Sequence, residues 1–195
     1  MDYPSMDRLA DLQQMIADFG KVQRAIPFAD TNSAESDVEH SFGLAITCWY
    51  LQPHIAPELN IGQILEYALA HDIVELHAGD TYVFDHKGME TKEQRERDAV
   101  VRLRQDWPDF KQLSDRTEEY MNRSNEEAKF VKAVDKLLPI IMIELDKPRE
   151  WWRQHNITLE IEKINKRSIE VSDYMKPYYE KLISWLDERN NIPKL

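Results

Sequence analysis

Apolar positions in this chain recur at three- and four-residue spacing rather than in alternation. Leu9, Leu12, Ile16 and Phe19 share one helical face, with Ser5 able to cap the helix and Gly20 to stop it. Residues 27–34 read as a loop. A second helix opens near Ser36 or Asp37, buries Phe42, Ala45, Ile46 and Trp49, and ends before Pro53. Asn60 caps a third helix over 61–78, stopped by Gly79. A polar loop over 79–90 leads to the capping box Thr91-Lys92-Glu93-Gln94 and a fourth helix that Pro108 closes. Ser124-Asn125-Glu126-Glu127 is a second capping box. Its helix buries Val131, Val134, Leu138 and Met142, with a kink expected at Pro139. Two more helices follow, over about 159–173 and 177–189. No stretch alternates long enough to demand a sheet. The predicted class is all-α, a single domain over 1–195 folded as an orthogonal helical bundle.

Polar residues interrupt two of these apolar stripes. The stripe of the third helix runs Ile61, Ile64, Leu65, Ala68 and then meets His71, Asp72 and Glu75. The stripe through Val131, Val134 and Leu138 meets Asp135. Each such group needs a partner once buried. A divalent cation shared between the two helices satisfies the whole set. Taken singly, the residues have simpler outlets: Asp135 can pair with Arg24 or Lys136, and His71 can bond a backbone carbonyl.

Composition narrows the chemistry. The chain has 195 residues, a formal net charge of -11 and 5 glycines, none in a Walker or Rossmann pattern. So acidic a surface repels a polynucleotide, while a metal and a few cations can still attract a small phosphorylated substrate. Cys48 is the sole cysteine, which excludes an intrachain disulfide and a cysteine zinc site and reads as a small core residue. No apolar run is long enough for a membrane span, residues 1–8 lack an apolar signal region, and the expected compartment is the cytoplasm.

Four motifs in order resemble the HD superfamily of metal-dependent phosphohydrolases. Glu35-Ser36-Asp37-Val38-Glu39-His40-Ser41 is similar to its first-histidine motif, and His71-Asp72 to the doublet that names it. Glu75 and Gly79-Asp80-Thr81 follow at the family's offsets, and the segment 129–137, ending Val134-Asp135-Lys136-Leu137, resembles the last-ligand helix. The resemblance runs from about residue 9 to 186, nearest to the compact branch containing bacterial 5′-deoxynucleotidases. It implies an HD-type bundle, a motif-bearing core over about 9–147, C-terminal helices over about 158–189, and a homodimer. It also implies His40, His71, Asp72 and Asp135 as ligands of one divalent metal, Glu75 and Asp80 in proton transfer, and Arg24 on the substrate from late in the first helical segment. The branch carries a tryptophan after that arginine, where this chain has Ala25.

Two imidazoles and two carboxylates make a mixed shell that suits Mn²⁺, Co²⁺, Fe²⁺ or Zn²⁺ better than Mg²⁺. The function these residues support is release of phosphate from nucleoside 5′-monophosphates by a metal-activated water. The alternatives are a phosphodiesterase or pyrophosphohydrolase on another small nucleotide, or a non-catalytic helical interaction module. His77 and His86 read as solvated or locally bonded loop histidines, and His54 and His155 have no partner pattern. The charged run over 90–104 reads as a solvated face. Trp107, Trp151, Trp152 and Trp185 supply more apolar surface than one core uses, and some are expected at a subunit interface.

Overall fold

The computed structural model describes residues 3–29, 33–81, 86–146, 148–154 and 162–189. Helix α1 (Met6–Phe19) starts where predicted, with Ser5 Oγ accepting from the Arg8 amide at 3.1 Å and Gly20 at the C-cap. The chain then enters a hairpin that periodicity did not indicate. Strands β1 (Gln23–Pro27) and β2 (Ala34–Ser36) pair antiparallel, Gln23 opposite Ser36 and Pro27 opposite Ala34 with an irregularity between. Five and three residues are too short to register as alternation. Arg24 therefore sits on a strand and not on a helix, and β2 delivers the chain directly into α2 (Asp37–Ile55).

The Ser36 side chain caps α2 in a closed capping box with Glu39. The helix runs through Pro53 to Ile55. Beyond it, Gln52 Nε2 donates to the carbonyls of Ala56, Pro57 and Leu59 at 3.1–3.2 Å, satisfying the chain as it leaves the helix. The buried face of α2 is Asp37, His40, Ser41, Leu44, Ala45, Cys48 and Leu51. Phe42, Ile46 and Trp49, expected inside, are 65%, 46% and 60% exposed.

Asn60 caps α3 (Ile61–Ala70), which ends eight residues before the expected stop. Residues 71–74 form a tightened turn with bonds three residues back, including Glu75 N to Asp72 O at 2.8 Å, before the short α4 (Glu75–Ala78). Helix α5 (His86–Asp106) begins before Thr91, whose hydroxyl bonds Gly88 O at 3.4 Å from inside the helix, so no capping box forms there. Helix α6 (Lys111–Asn122), which the pattern did not separate, leads to α7 (Glu126–Leu145). Asn125, not Ser124, caps α7, accepting from Ala128 N at 2.8 Å. Pro139 lies within the continuous α7. Helices α8 (Pro148–Gln154), α9 (Glu162–Ile169) and α10 (Lys176–Arg189) complete the described chain; the first of these was also unforeseen.

The class is all-α with one small hairpin, as the periodicity predicts. Helix α7 lies at the centre, packed against α2, α3, α6, α8, α9 and β1. Leu44, Ile64, Tyr67, Phe130, Val134, Ile169 and Leu186 share the main core. The turn after α3 is anchored separately: Ile73 packs with Phe19, Leu103 and Trp107, and Val74 with Ala99 and Val100. Apolar residues on both sides of the chain thus fix the doublet His71-Asp72 between two cores. No helix of the described residues is long and apolar enough to cross a membrane.

The tryptophans expected at an interface are mostly interior. Trp107 is buried beneath the Arg8 guanidinium, 3.7 Å above its ring. Trp152 is buried with its indole N–H donating to Glu144 Oε1 at 2.8 Å. Trp151 and Trp185 are half-buried. The exposed tryptophan among the described residues of this set's kind is Trp49, on α2.

Candidate metal centre

Two elements aim polar side chains at one point, and α7 sets Asp135 beside them. His40 comes from the first turns of α2, one helical step from the buried Leu44, so the same packing that buries Leu44 turns the imidazole inward. His71 and Asp72 come from the tightened turn after α3. The ligand atoms of His40, His71 and Asp72 lie within 4.8 Å of one another. Asp135, on the buried face of α7, meets the trio through His40, whose Nε2 is 3.2 Å from Asp135 Oδ1.

The tautomers that these contacts require are informative. His71 Nδ1 lies 2.9 Å from the Ala68 carbonyl, which can only accept, so Nδ1 carries the proton. Its Nε2 has no hydrogen-bond partner yet stands 2.9 Å from Asp72 Oδ2. His40 differs, with Nδ1 3.2 Å from Glu35 Oε2 and Nε2 hydrogen-bonded to Asp135 Oδ1 at 3.2 Å, so acids flank both nitrogens. At both rings a nitrogen thus stands against a carboxylate oxygen, which is itself an acceptor. Two acceptors at such distances need a cation between them, either a proton or a metal. The donor set therefore fits a divalent metal held by nitrogen and oxygen.

A second group shares Asp72. The oxygens of Asp37, Asp72 and Glu75 also lie within 4.8 Å of one another. Asp37 is fully buried and Glu75 is 3% exposed, and both Asp37 oxygens and Glu75 Oε2 lack hydrogen-bond donors. Burial first, and then the charge of Asp72, push the Asp37 carboxyl up to about 7. Burial, followed by the charges of Asp72, Asp37 and Asp80, pushes Glu75 up to about 10. Asp72 itself stays well below the usual carboxylate range: burial works against it, but His71 and Arg24 outweigh burial. His40 is raised because its bonds to Asp135 and Glu35 outweigh the burial that opposes its charge.

Arg24 is the hub of the acids. Its Nη1 donates to Asp72 Oδ2 at 2.8 Å and lies 3.5 Å from Asp37, while Nε lies 3.4 Å from Glu35. The strand alternation at β1 turns Arg24 and Ile26 inward and leaves Gln23 and Ala25 exposed. Gly79, at φ 72 and ψ 149, makes a bend that a side chain rarely tolerates and leads the chain to Asp80. Arg95 of α5 then ties that loop down, bonding Ala78 O, Thr81 Oγ1 at 2.7 Å and Gly88 O at 3.2 Å.

A cavity of about 850 Å³ opens over these groups, lined by Arg24, Asp72, Glu75, Asp80, Lys132 and Lys136 among others. Every residue proposed from the sequence thus lines this cavity or touches a residue that does. Several were missed. Glu35 and Asp37 lie in the motif leading to His40, and Asp37 precedes His40 by three residues on the same buried face, which helical spacing could have indicated. Tyr120, whose hydroxyl donates to Asp135 Oδ2 at 2.9 Å, carries no sequence signal. The Lys136 ammonium lies 3.0 Å from Asp135 Oδ2. The ion pair between Asp135 and Lys136 and the bond from His71 to a carbonyl both exist. The charged run of α5 is also more than a solvated face: Lys92 reaches Glu75 at 3.6 Å, and Ala99, Val100 and Leu103 are buried. His77 lies 3.5 Å from Asp106 and His54 meets the Tyr50 ring edge-on. The His86 side chain and His155 fall outside the described residues.

A family model described as HD domain matches residues 18–175. The chain is 32% identical over 110 residues to 5′-deoxynucleotidase HDDC2 of Mus musculus, covering 55% of this chain and 54% of that protein. To the protein of the same name from Danio rerio it is 27% identical over 139 residues, covering 70% and 68%. The chain spans about half the length of the first of these curated relatives. Among solved structures it is similar to a predicted metal-dependent phosphohydrolase from Magnetospirillum magnetotacticum MS-1, with TM-score 0.80, 27% identity and 96% of each chain covered.

Proposed function

The chain belongs to the HD domain family, and on that premise we propose that it is a metal-dependent phosphomonoesterase that releases phosphate from nucleoside 5′-monophosphates. The observation that carries the reading is the convergence of the His40, His71 and Asp72 ligand atoms within 4.8 Å of one another beneath one cavity. His40, His71 and Asp72 would hold the metal, with Asp135 as the fourth ligand through the side that faces His40. The mixed donor set favours Mn²⁺, Co²⁺, Fe²⁺ or Zn²⁺. Such a metal supplies polarisation of a phosphoryl oxygen and acidification of a water.

The remaining work falls to the chain's own groups. Arg24 orients the phosphate through a planar fork once Asp72 is engaged elsewhere. Glu75, protonated and unpartnered at Oε2, and Asp80, delivered by the Gly79 bend, take and return the proton of the hydrolysis. The cavity volume suits a single nucleotide. The names of the HDDC2 relatives and of the Magnetospirillum structure support the same chemistry. The reading is tested by loading the protein with each metal and measuring orthophosphate from a panel of ribo- and deoxynucleoside monophosphates. Release from a diester or triphosphate, with none from any monophosphate, would transfer the assignment to a phosphodiesterase or pyrophosphohydrolase.

The same proposal includes a homodimer, and its support lies on α2. Phe42, Ile46, Trp49 and Tyr50 make one exposed apolar stripe at helical spacing, more than scattered surface residues provide. Sedimentation should give a dimer at micromolar protein, and Trp49→Glu should shift it to monomer without changing metal content. A wild-type monomer under those conditions contradicts it.

A further inference from the structure

Two lysines of α7 are not used by anything above. Lys132 and Lys136 stand one helical turn apart, and both line the cavity. Their ammonium groups lie 3.3 and 3.0 Å from the same atom, Asp135 Oδ2. Among the described residues no other carboxylate lies within ion-pair distance of either. The oxygen they share also accepts the Tyr120 hydroxyl at 2.9 Å. Lys132 is further restrained by the Tyr120 ring, 4.9 Å away.

Charge accounting makes this pair unusual. One carboxylate cannot neutralise two ammonium groups, and Asp135 is also proposed to serve the metal. A divalent ion between two neutral imidazoles, Asp72 and Asp135 is already balanced by those two carboxylates. Both lysines are then left without a counter-charge, although their side chains are only 26% and 35% exposed. Arg24 differs, because Glu35 and Asp37 lie beside it even when Asp72 is counted with the metal. Uncompensated ammonium groups in a partly buried wall are costly unless an anion completes them. A phosphate monoester dianion brings the two negative charges required.

We propose that Lys132 and Lys136 form an anion subsite on α7 that holds the substrate phosphate. The identity of the anion rests on the phosphohydrolase reading, whereas the subsite itself rests on the geometry of the two lysines.

Calorimetry with inorganic phosphate on the Mn²⁺-loaded full chain tests the subsite. Lys132→Met and Lys136→Met should each weaken phosphate binding by about 10-fold or more, as expected for loss of one charge-assisted bond. Lys136→Arg should retain most of the affinity, and Lys111→Met, on the exposed start of α6, should match the wild type. Metal content is measured in parallel. Should a methionine variant lose its fold or its metal, acylation of wild-type lysines with and without phosphate decides instead. Protection of Lys132 and Lys136, but not Lys111, is the expected result. Equal phosphate affinity in wild type and metal-loaded variants overturns the proposal, as does a wild type that binds no phosphate or shows no protection. Nucleotide turnover is a separate readout. Phosphate held by these lysines without any turnover would sink the nucleotidase reading alone, and turnover with lysine-independent phosphate binding would sink the subsite alone.

Discussion

On the side of the cavity built by β2, α2 and the 71–75 segment, Glu35, Asp37, Asp72 and Glu75 crowd acceptor against acceptor around a single arginine. On the side built by α7, Lys132 and Lys136 lean on the single carboxylate of Asp135. The first side lacks cations and the second lacks anions. A metal corrects the first deficit and a phosphate the second, so the two halves ask for different ligands. Substitutions on either side should therefore fail differently.

The largest effect is expected at Asp72, which belongs to both candidate ligand groups and receives Arg24. Asp72→Ala should leave the protein without bound metal by elemental analysis and bring phosphate release down to the metal-free background. If Asp72→Ala kept stoichiometric metal, the placement of the metal on the acceptor side would be wrong. Glu75→Gln removes a proton carrier but no proposed ligand. It should keep its metal and lose about 10²–10⁴-fold in kcat, the range for a general acid or base. A comparable loss of metal affinity in this variant would mean that Glu75 binds the ion and does not handle the proton.

How far this division could be read from sequence differs between the two sides. The acceptor side was legible where a polar residue replaced an apolar one, at His71, Asp72 and Glu75, as was Asp135 of α7, because a helical stripe makes such a break visible. His40 came through family resemblance, although it lies on the same face as Leu44 and Cys48. The obstacle was α2 itself. Its outer face, Phe42, Ile46 and Trp49, is more apolar than the inner face, which gives up Asp37, His40 and Ser41 to the site. A stripe chosen by hydrophobicity therefore selects the wrong side. The donor side left almost no trace. A lysine on a helix is ordinarily solvated, and nothing in the spacing of Lys132 and Lys136 shows that both curl back to one carboxylate. Arg24 was misplaced for another reason: a five-residue strand closed by a long-range partner carries too little local signal.

The crowding of acids also predicts a pH dependence of the metal-free protein. Asp37 is raised to about 7 and Glu75 to about 10, from ordinary values near 4. Between the ordinary and the raised values the folded chain binds more protons than the unfolded chain, so stability falls as pH rises. Stability is fully present below about pH 4, is lost progressively as pH climbs through about 7 for Asp37, and declines further toward about 10 for Glu75. Denaturation of chelator-treated protein at pH 5 and pH 8 should show the lower stability at pH 8. Added Mn²⁺ should narrow that difference, because the metal replaces the protons and its apparent affinity rises with pH. Equal metal-free stability at the two pH values would indicate that these carboxyls are not in conflict.

The smallest effect is expected where the acceptor side is shaped by backbone alone. Gly79 holds φ 72 and ψ 149, a conformation essentially confined to glycine, and a Cβ there meets nothing within 4 Å. Gly79→Ala thus carries no steric clash, and its cost is the backbone strain of about 1–3 kcal/mol. In a chain of this length each kcal/mol lowers Tm by roughly 2–4 °C. The residues proposed to hold the metal all lie outside the bend, in α2, the 71–74 turn and α7, so metal content should be unchanged. Asp80 is the group that the bend delivers, and Arg95 holds the loop from the other side through Ala78 O and Thr81 Oγ1. A relaxed bend would therefore displace Asp80 against a fixed clamp, lowering kcat while KM stays near the wild-type value. A variant with reduced Tm but full kcat would show that Asp80 does not need this bend, and would leave Glu75 as the sole proton carrier on the acceptor side.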